Sequence, residues 1–370
     1  MSASHGEIAM QKPIGKYAKF IKSLLPVNIP EAYALKPMFK GIASEEDIRK
    51  GVIAFRDFLY LLCDRLILDG NLYAKPKKTK NLTDYPFLHN INNLLNDIGY
   101  YSKLAESGDS LLITEIPSFA APRSKIPASK QTECLRFLAL CGFVFKGIDL
   151  EAKKFVISEA QEAQLPEVSY PSNPILLTGL KALSIADKEL RGRRYCNDDN
   201  LLRCDYRLLM AEAPDMLDIL KDYLNPLTEK LQKFALELHQ RYIDIGMTCV
   251  MITDDQYHFA YSYTKNSRRP LSPREIYQQR VWELAVSMKY GYCLAVRAKK
   301  TNQYTDIIEK FPLFLQEKIA KGYGCDRKLR NEHCQGGCQG IRIPLDDSIL
   351  EIKQDIEIWL DNEVPNLLRK

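Results

Sequence analysis

The chain lacks the short motifs that declare the commonest chemistries. It has no Walker A sequence, no GxGxxG opening a helix after a strand, no GxSxG and no HExxH, so nucleotide-binding, hydrolase and zinc-protease readings lack their residues. Long apolar runs are missing as well. The most apolar stretch, Phe58 to Leu68, is broken by Asp64 and Arg65 and falls short of the roughly 20 residues that a membrane-spanning helix requires. No span and no membrane partner are expected. Met1 to Pro13 has no apolar core of the kind a secretory signal needs, so a cytoplasmic location is expected. There is no internal repeat and no low-complexity segment.

Glycine and proline, at 18 and 19 of 370 residues, are neither rich enough for a fibrous chain nor scarce. At 46% hydrophobic residues the chain carries too much apolar sequence for disorder. Ten cysteines spread over this length do not make a small disulfide-stapled scaffold. In a reducing cytosol they read as thiols, metal ligands or redox groups before structural disulfides. The length suits two or three domains.

The net charge of +5 is unevenly placed: residues 1 to 80 hold a balance of +6 and the remaining 290 hold −1. Lys75, Lys77, Lys78 and Lys80 form the densest basic run, which reads as a solvated loop or as a contact for phosphate or an acidic surface.

Periodicity predicts an α+β protein with a helical N-terminal half and a C-terminal small antiparallel sheet flanked by helices. Ser44 followed by Glu45, Glu46 and Asp47 resembles a helix cap with an acidic first turn. Val52, Phe55, Leu59, Leu62 and Leu66 then recur at helical spacing, toward a stop near Gly70. Further helices are predicted over Pro86 to Leu104, Ser129 to Cys141 and Ile175 to Leu190. Phe143 to Phe145 and Phe155 to Ile157 are strand-like, and with the helix before them they have the order of the last part of a winged helix. A plain helix plus hairpin reads the same way. In the winged-helix reading Lys130 and Arg136 lie on the recognition helix, with Lys146, Lys153 and Lys154 on or beside the wing, a modest footprint for nucleic acid. Leu202, Cys204, Tyr206 and Leu208 alternate with Arg203, Asp205 and Arg207 and predict a half-buried strand.

In the C-terminal half, a helix with Leu231, Phe234, Leu238 and Tyr242 on one stripe precedes a hairpin of Thr248 to Thr253 and Tyr257 to Tyr263. Ser272-Pro273-Arg274-Glu275 has the signature of a capping box with proline at the first helical position, and predicts a helix to about Lys289. Tyr292 to Arg297 and Ile341 to Ile343 are strand candidates, and Ile349, Ile352, Ile356 and Trp359 mark a final helix. The segments so defined are a basic helical stretch over 1–80, an α+β domain over 81–210 and a second α+β domain over 211–370.

Two features could carry chemistry. Gly322 to Gly340 contains Cys325, His333, Cys334 and Cys338 among five glycines, and three thiolates with one imidazole would satisfy zinc. The spacing departs from paired CxxC knuckles, and a thiol redox pair or an inert glycine-rich loop fits the same residues. The second feature is an aromatic row. Tyr257, Phe259, Tyr261 and Tyr263 fall on one strand face, suited to a core or to stacking a planar ligand. His258, Ala260 and Ser262 fall on the other face, whose small residues leave room for a pocket with His258 as its titratable group. The leading expectation is a non-catalytic binding or regulatory protein whose C-terminal domain holds a ligand or a metal. Its partner would be a small molecule or a protein. A thiol- or pocket-based enzyme and a winged-helix regulator that contacts nucleic acid are the alternatives.

Overall fold

The computed structural model describes residues 13–73, 86–120, 128–156, 165–190, 201–212, 214–253, 257–264, 267, 269–287, 290–322 and 340–364. The chain divides into two compact units, Met1–Pro214 and Asp215–Lys370. It is α+β, and no helix among the described residues is long and apolar enough to cross a membrane.

Unit 1 is built on α1 (Pro13–Ser23), α2 (Glu45–Tyr73) and α3 (Pro86–Tyr100). The Ser44 hydroxyl caps α2 by accepting the Asp47 amide at 3.0 Å, and Val52, Phe55, Leu59, Leu62 and Leu66 are all buried. The helix continues through Gly70, where α1 packs so closely that a Cβ would meet the Ile14 side chain at 2.8 Å. The chain then forms β1 (Ser102–Leu104), β2 (Ser110–Ile113), α4 (Ile116–Ala120), α5 (Ala128–Leu140), β3 (Val144–Lys146), β4 (Glu167–Ser169) and α6 (Leu176–Leu190). The four strands form an antiparallel sheet in the order β1-β2-β4-β3.

Helices α2 and α6 cross at Gly51 and Gly179. A Cβ on Gly51 would stand 2.5 Å from the Gly179 amide nitrogen, so the two backbones touch where any side chain would separate them.

Two predicted strands are corrected here. β3 pairs with Glu167–Ser169, and Phe155 and Val156 are in no strand, so the strand partner comes from the segment between Pro166 and Pro171, while Ile157 lies outside the described residues. Leu202 to Leu208 is not a strand. It forms two 3-10 turns, Leu201–Arg203 and Tyr206–Leu209, with Cys204 at φ 50° between them. Arg203 and Asp205 are buried along with their apolar neighbours, so the alternation in the sequence does not divide an inside from an outside.

Unit 2 begins with α7 (Met216–Leu224) and α8 (Glu229–Asp244), followed by β5 (Thr248–Thr253), β6 (Tyr257–Ser262), α9 (Pro273–Gln278), β7 (Trp282–Ser287) and β8 (Gly291–Val296). After α10 (Thr305–Ile308) and α11 (Leu313–Lys321) come β9 (Ile341–Pro344), α12 (Asp347–Glu351) and α13 (Lys353–Glu363). The strands make a five-stranded antiparallel meander in chain order, β5-β6-β7-β8-β9. The capping box at Ser272 forms, with its hydroxyl accepting the Glu275 amide at 3.3 Å. The helix it starts ends at Gln278, and Trp282 to Ser287 is a strand, contrary to the long helix expected from the cap.

Register sorts the sheet into two unlike faces. Tyr257, Phe259 and Tyr261 lie beside Val286, Leu284 and Trp282, and Tyr292, Leu294, Val296, Ile341 and Ile343 continue that face. Tyr261 stacks on Trp282 with ring centroids 3.7 Å apart, Tyr242 of α8 meets Trp282 edge-on, and Tyr223 of α7 lies against Phe259. This aromatic face is the core of unit 2. The other face presents His258, Ala260, Ser262, Glu283, Ala285, Ser287, Cys293, Ala295 and Arg342.

Candidate functional site

The second face gathers charge where sheets ordinarily bury apolar side chains. His258, Glu283 and Arg280 are only 3%, 1% and 5% exposed. The His258 Nδ1 lies 3.1 Å from a Glu283 carboxylate oxygen, Oε2, and the Arg280 Nε lies 2.7 Å from the same oxygen. The other oxygen, Oε1, is buried without a hydrogen-bond partner among the described residues. A buried carboxylate oxygen left in this state costs about 1–3 kcal/mol or more relative to a satisfied one.

Local structure places each group. β6 and β7 are antiparallel with Ala260 opposite Glu283 and His258 opposite Ala285, so histidine and glutamate reach one another diagonally across small residues. Arg280 follows the last turn of α9 and donates to the Tyr277 carbonyl at 3.0 Å, which holds its guanidinium above the sheet. That guanidinium lies 3.9 Å from the Tyr277 ring centroid, while the His258 ring meets Tyr277 edge-on at 5.1 Å. Tyr277 is half-buried and is where the cluster meets solvent.

A second cationic group continues the face. Arg342 of β9 donates to the Cys293 sulfur at 3.6 Å and lies under the half-buried Tyr290 ring at 4.5 Å. Arg297 donates to the Gln278 carbonyl at 2.7 Å, at the C-terminal end of α9, where a cation is favoured. Burial pushes the Cys293 thiol up to about 11, more than the neighbouring Arg342 charge lowers it. It is therefore a thiol at neutral pH, not a nucleophile.

Burial raises the other thiols among the described residues too, with Cys63 and Cys249 pushed up to about 12 and Cys141 to about 11. Cys134 and Cys204 move in the same direction for the same reason. Of the ten cysteines, five are free and buried and Cys249 is half-buried, which leaves at most five able to react with a disulfide reagent in the folded protein. Titration with Ellman's reagent at about pH 8 tests this: fast reaction of six or more thiols before denaturant is added would contradict it.

On the aromatic face, the His239 Nδ1 of α8 lies 2.8 Å from the Tyr261 hydroxyl. Burial lowers its pKa below the ordinary 6.5. The unfolded chain then binds a proton that the folded chain refuses, so unit 2 loses stability as pH falls through 6.5 toward the lower folded value. His239→Gln is expected to flatten the stability slope in that window, and an unchanged slope would contradict the assignment.

The predicted site residues fare differently. His258 joins the charged cluster. Tyr257, Phe259 and Tyr261 are buried in the core of unit 2, and Tyr263 lies just beyond the end of β6, half-buried. Cys325, His333, Cys334 and Cys338, like the Lys75 to Lys80 run, lie outside the described residues. Among the described residues no group of three or more His, Cys, Asp or Glu is placed to hold a metal ion. In unit 1, Lys130 pairs with Glu133, Lys146 lies 3.1 Å from Glu167, and Arg136 donates to the carbonyls of Leu150 and Ala152, the latter at 3.1 Å. Lys153 and Lys154 are exposed. Along α5 only Arg136 and Leu140 are exposed among the described side chains, so its other faces are not open to a groove of DNA.

Glu283, Arg280 and Arg342 were not among the residues singled out from sequence. The signal for Glu283 is present, because Glu283, Ala285 and Ser287 alternate with Trp282, Leu284 and Val286 at a period of two. Compared with known proteins, the chain matches no family model, no curated protein and no solved structure.

Proposed function

We propose that unit 2 is a ligand-binding domain and that its site is the charged sheet face around Glu283, His258 and Arg280. The observation that carries this reading is the buried Glu283 oxygen without a hydrogen-bond partner among the described residues. An acceptor in that state is completed by a ligand that donates an N–H or O–H, which makes amines and polyols the favoured chemistry. Ala285 and Ala295 are the small residues beside it on this face, and the stacked pairs Tyr277–Arg280 and Tyr290–Arg342 supply planar walls. Buried charged and polar side chains are concentrated on this one face, opposite a face made only of core.

A thermal-shift panel of primary amines, amino acids, polyols and nucleosides tests the reading. At least one class should raise the unfolding midpoint of unit 2 in the wild type and raise it less in Glu283→Gln. A panel that moves neither protein, or moves both equally, would exclude this site.

The winged-helix-like reading of unit 1 has one observation in its favour, the strand order β2-β4-β3 around α4 and α5. With α5 largely covered and its basic residues engaged, we propose that this module serves packing and not nucleic-acid binding. Retention of random duplex DNA even at low salt would overturn that assignment.

A further inference from the structure

We propose that the exposed stripe of α2 pairs with the same stripe of a second copy of this chain, antiparallel, about a two-fold axis between Asp64 and Arg65. This proposal is independent of the ligand site in unit 2. Leu68 is 79% exposed and Leu61 46%, one heptad apart on a helix whose opposite face is wholly buried. Asp64 and Arg65 lie between them, their side chains 52% and 47% exposed.

The neighbouring elements widen the apolar surface. Arg65 donates to the Leu140 carbonyl at 3.1 Å, which brings the end of α5 beside the stripe, and Leu140 and Val144 are themselves 60% and 42% exposed. Leu61 and Leu68 on one stripe, with the exposed Leu140 beside them, are more than isolated surface hydrophobics, and such patches mark association sites.

Charge complementarity identifies the occupant. In an antiparallel pair of identical helices each residue faces the one equally far from the axis on the other side. With the axis between positions 64 and 65, Leu61 faces Leu68 of the second copy and Asp64 faces its Arg65, and each contact occurs twice. The stripe is therefore its own complement in both shape and sign. Asp64 also pairs with Lys22 in the same chain, and Arg65 lies 3.8 Å from Asp69, but both keep enough exposure to meet a second partner. A parallel pairing would set Asp64 against Asp64 and gain nothing from the charges.

Sedimentation velocity on the full chain across a concentration series tests this. The wild type is expected to show a monomer–dimer equilibrium, and Leu68→Glu is expected to weaken the dimer by about tenfold or more. Because Leu68 is exposed, the variant should keep the helicity and unfolding midpoint of the wild type. Asp64→Arg alone should weaken association by placing arginine against arginine, and Asp64→Arg combined with Arg65→Asp should restore it. A wild type that is monomeric throughout, or a dimer indifferent to Leu68→Glu, overturns the surface. Failure of the double reversal to restore a dimer that Leu68→Glu does break overturns the antiparallel register.

Discussion

Glu283→Ala is expected to lower the unfolding free energy of unit 2 by about 3–5 kcal/mol, because removing one partner of a buried ion pair leaves the other charge uncompensated. Here it would take from the Arg280 guanidinium, 5% exposed, the carboxylate it pairs with among the described residues, and would remove the Glu283 oxygen that lies beside the buried His258 Nδ1. The molecule supplies a convenient reporter. Both tryptophans of the chain, Trp282 and Trp359, are in unit 2, so tryptophan fluorescence in a urea titration follows that unit alone. Replacing the pair together, Glu283→Leu with Arg280→Met, should cost less than Glu283→Ala, since two apolar side chains leave no orphaned charge. A loss under about 1 kcal/mol for Glu283→Ala would mean that the cluster is solvated.

The second large effect is expected in unit 1. Gly179→Leu should destabilise that unit by about 3 kcal/mol, the upper part of the range for overpacking, because the new side chain would have to occupy the backbone of α2 at Gly51. The sign is informative. In an exposed helix, replacing glycine by leucine would gain about 0.5–1 kcal/mol from helix propensity alone, so a net loss isolates the close approach of the two helices. Far-UV circular dichroism should show an earlier transition for unit 1 while the tryptophan signal of unit 2 keeps its midpoint. A neutral or stabilising Gly179→Leu would show that α2 and α6 do not touch there.

What was legible in the sequence depended on whether burial had one side or two. Helix α2 exposes one stripe, so Val52, Phe55, Leu59, Leu62 and Leu66 stand out at helical spacing and the Ser44 cap marks the start. The hairpin of β5 and β6 was legible because large rings alternate with small residues, and that alternation put His258 on the low face where the charged cluster forms.

Strand β7 was hidden by the cap that precedes it. A capping box reports where a helix starts and says nothing about its length, and both faces of β7 are buried, so only Glu283 and Ser287 interrupt an otherwise apolar run. Reading that run as helix removed Glu283 from view, and with it the partner of His258. Arg342 could not be tied to Cys293 from sequence, because the contact comes from strand pairing between segments 49 residues apart. The turn around Cys204 misleads in the opposite way, as alternating residues in two short turns, with Leu202 to Tyr206 buried regardless of polarity, imitate a strand.

The charged face of unit 2 as a ligand site is tested most directly by isothermal titration of wild type and Glu283→Gln with the amine or polyol that gives the greatest thermal shift. Leu68→Glu, altered in unit 1, serves as the control. Loss of one buried charge-assisted hydrogen bond is expected to raise Kd about tenfold or more in Glu283→Gln, equivalent to about 1.4 kcal/mol. Leu68→Glu should bind as the wild type does. Equal affinity of wild type and Glu283→Gln would contradict the site.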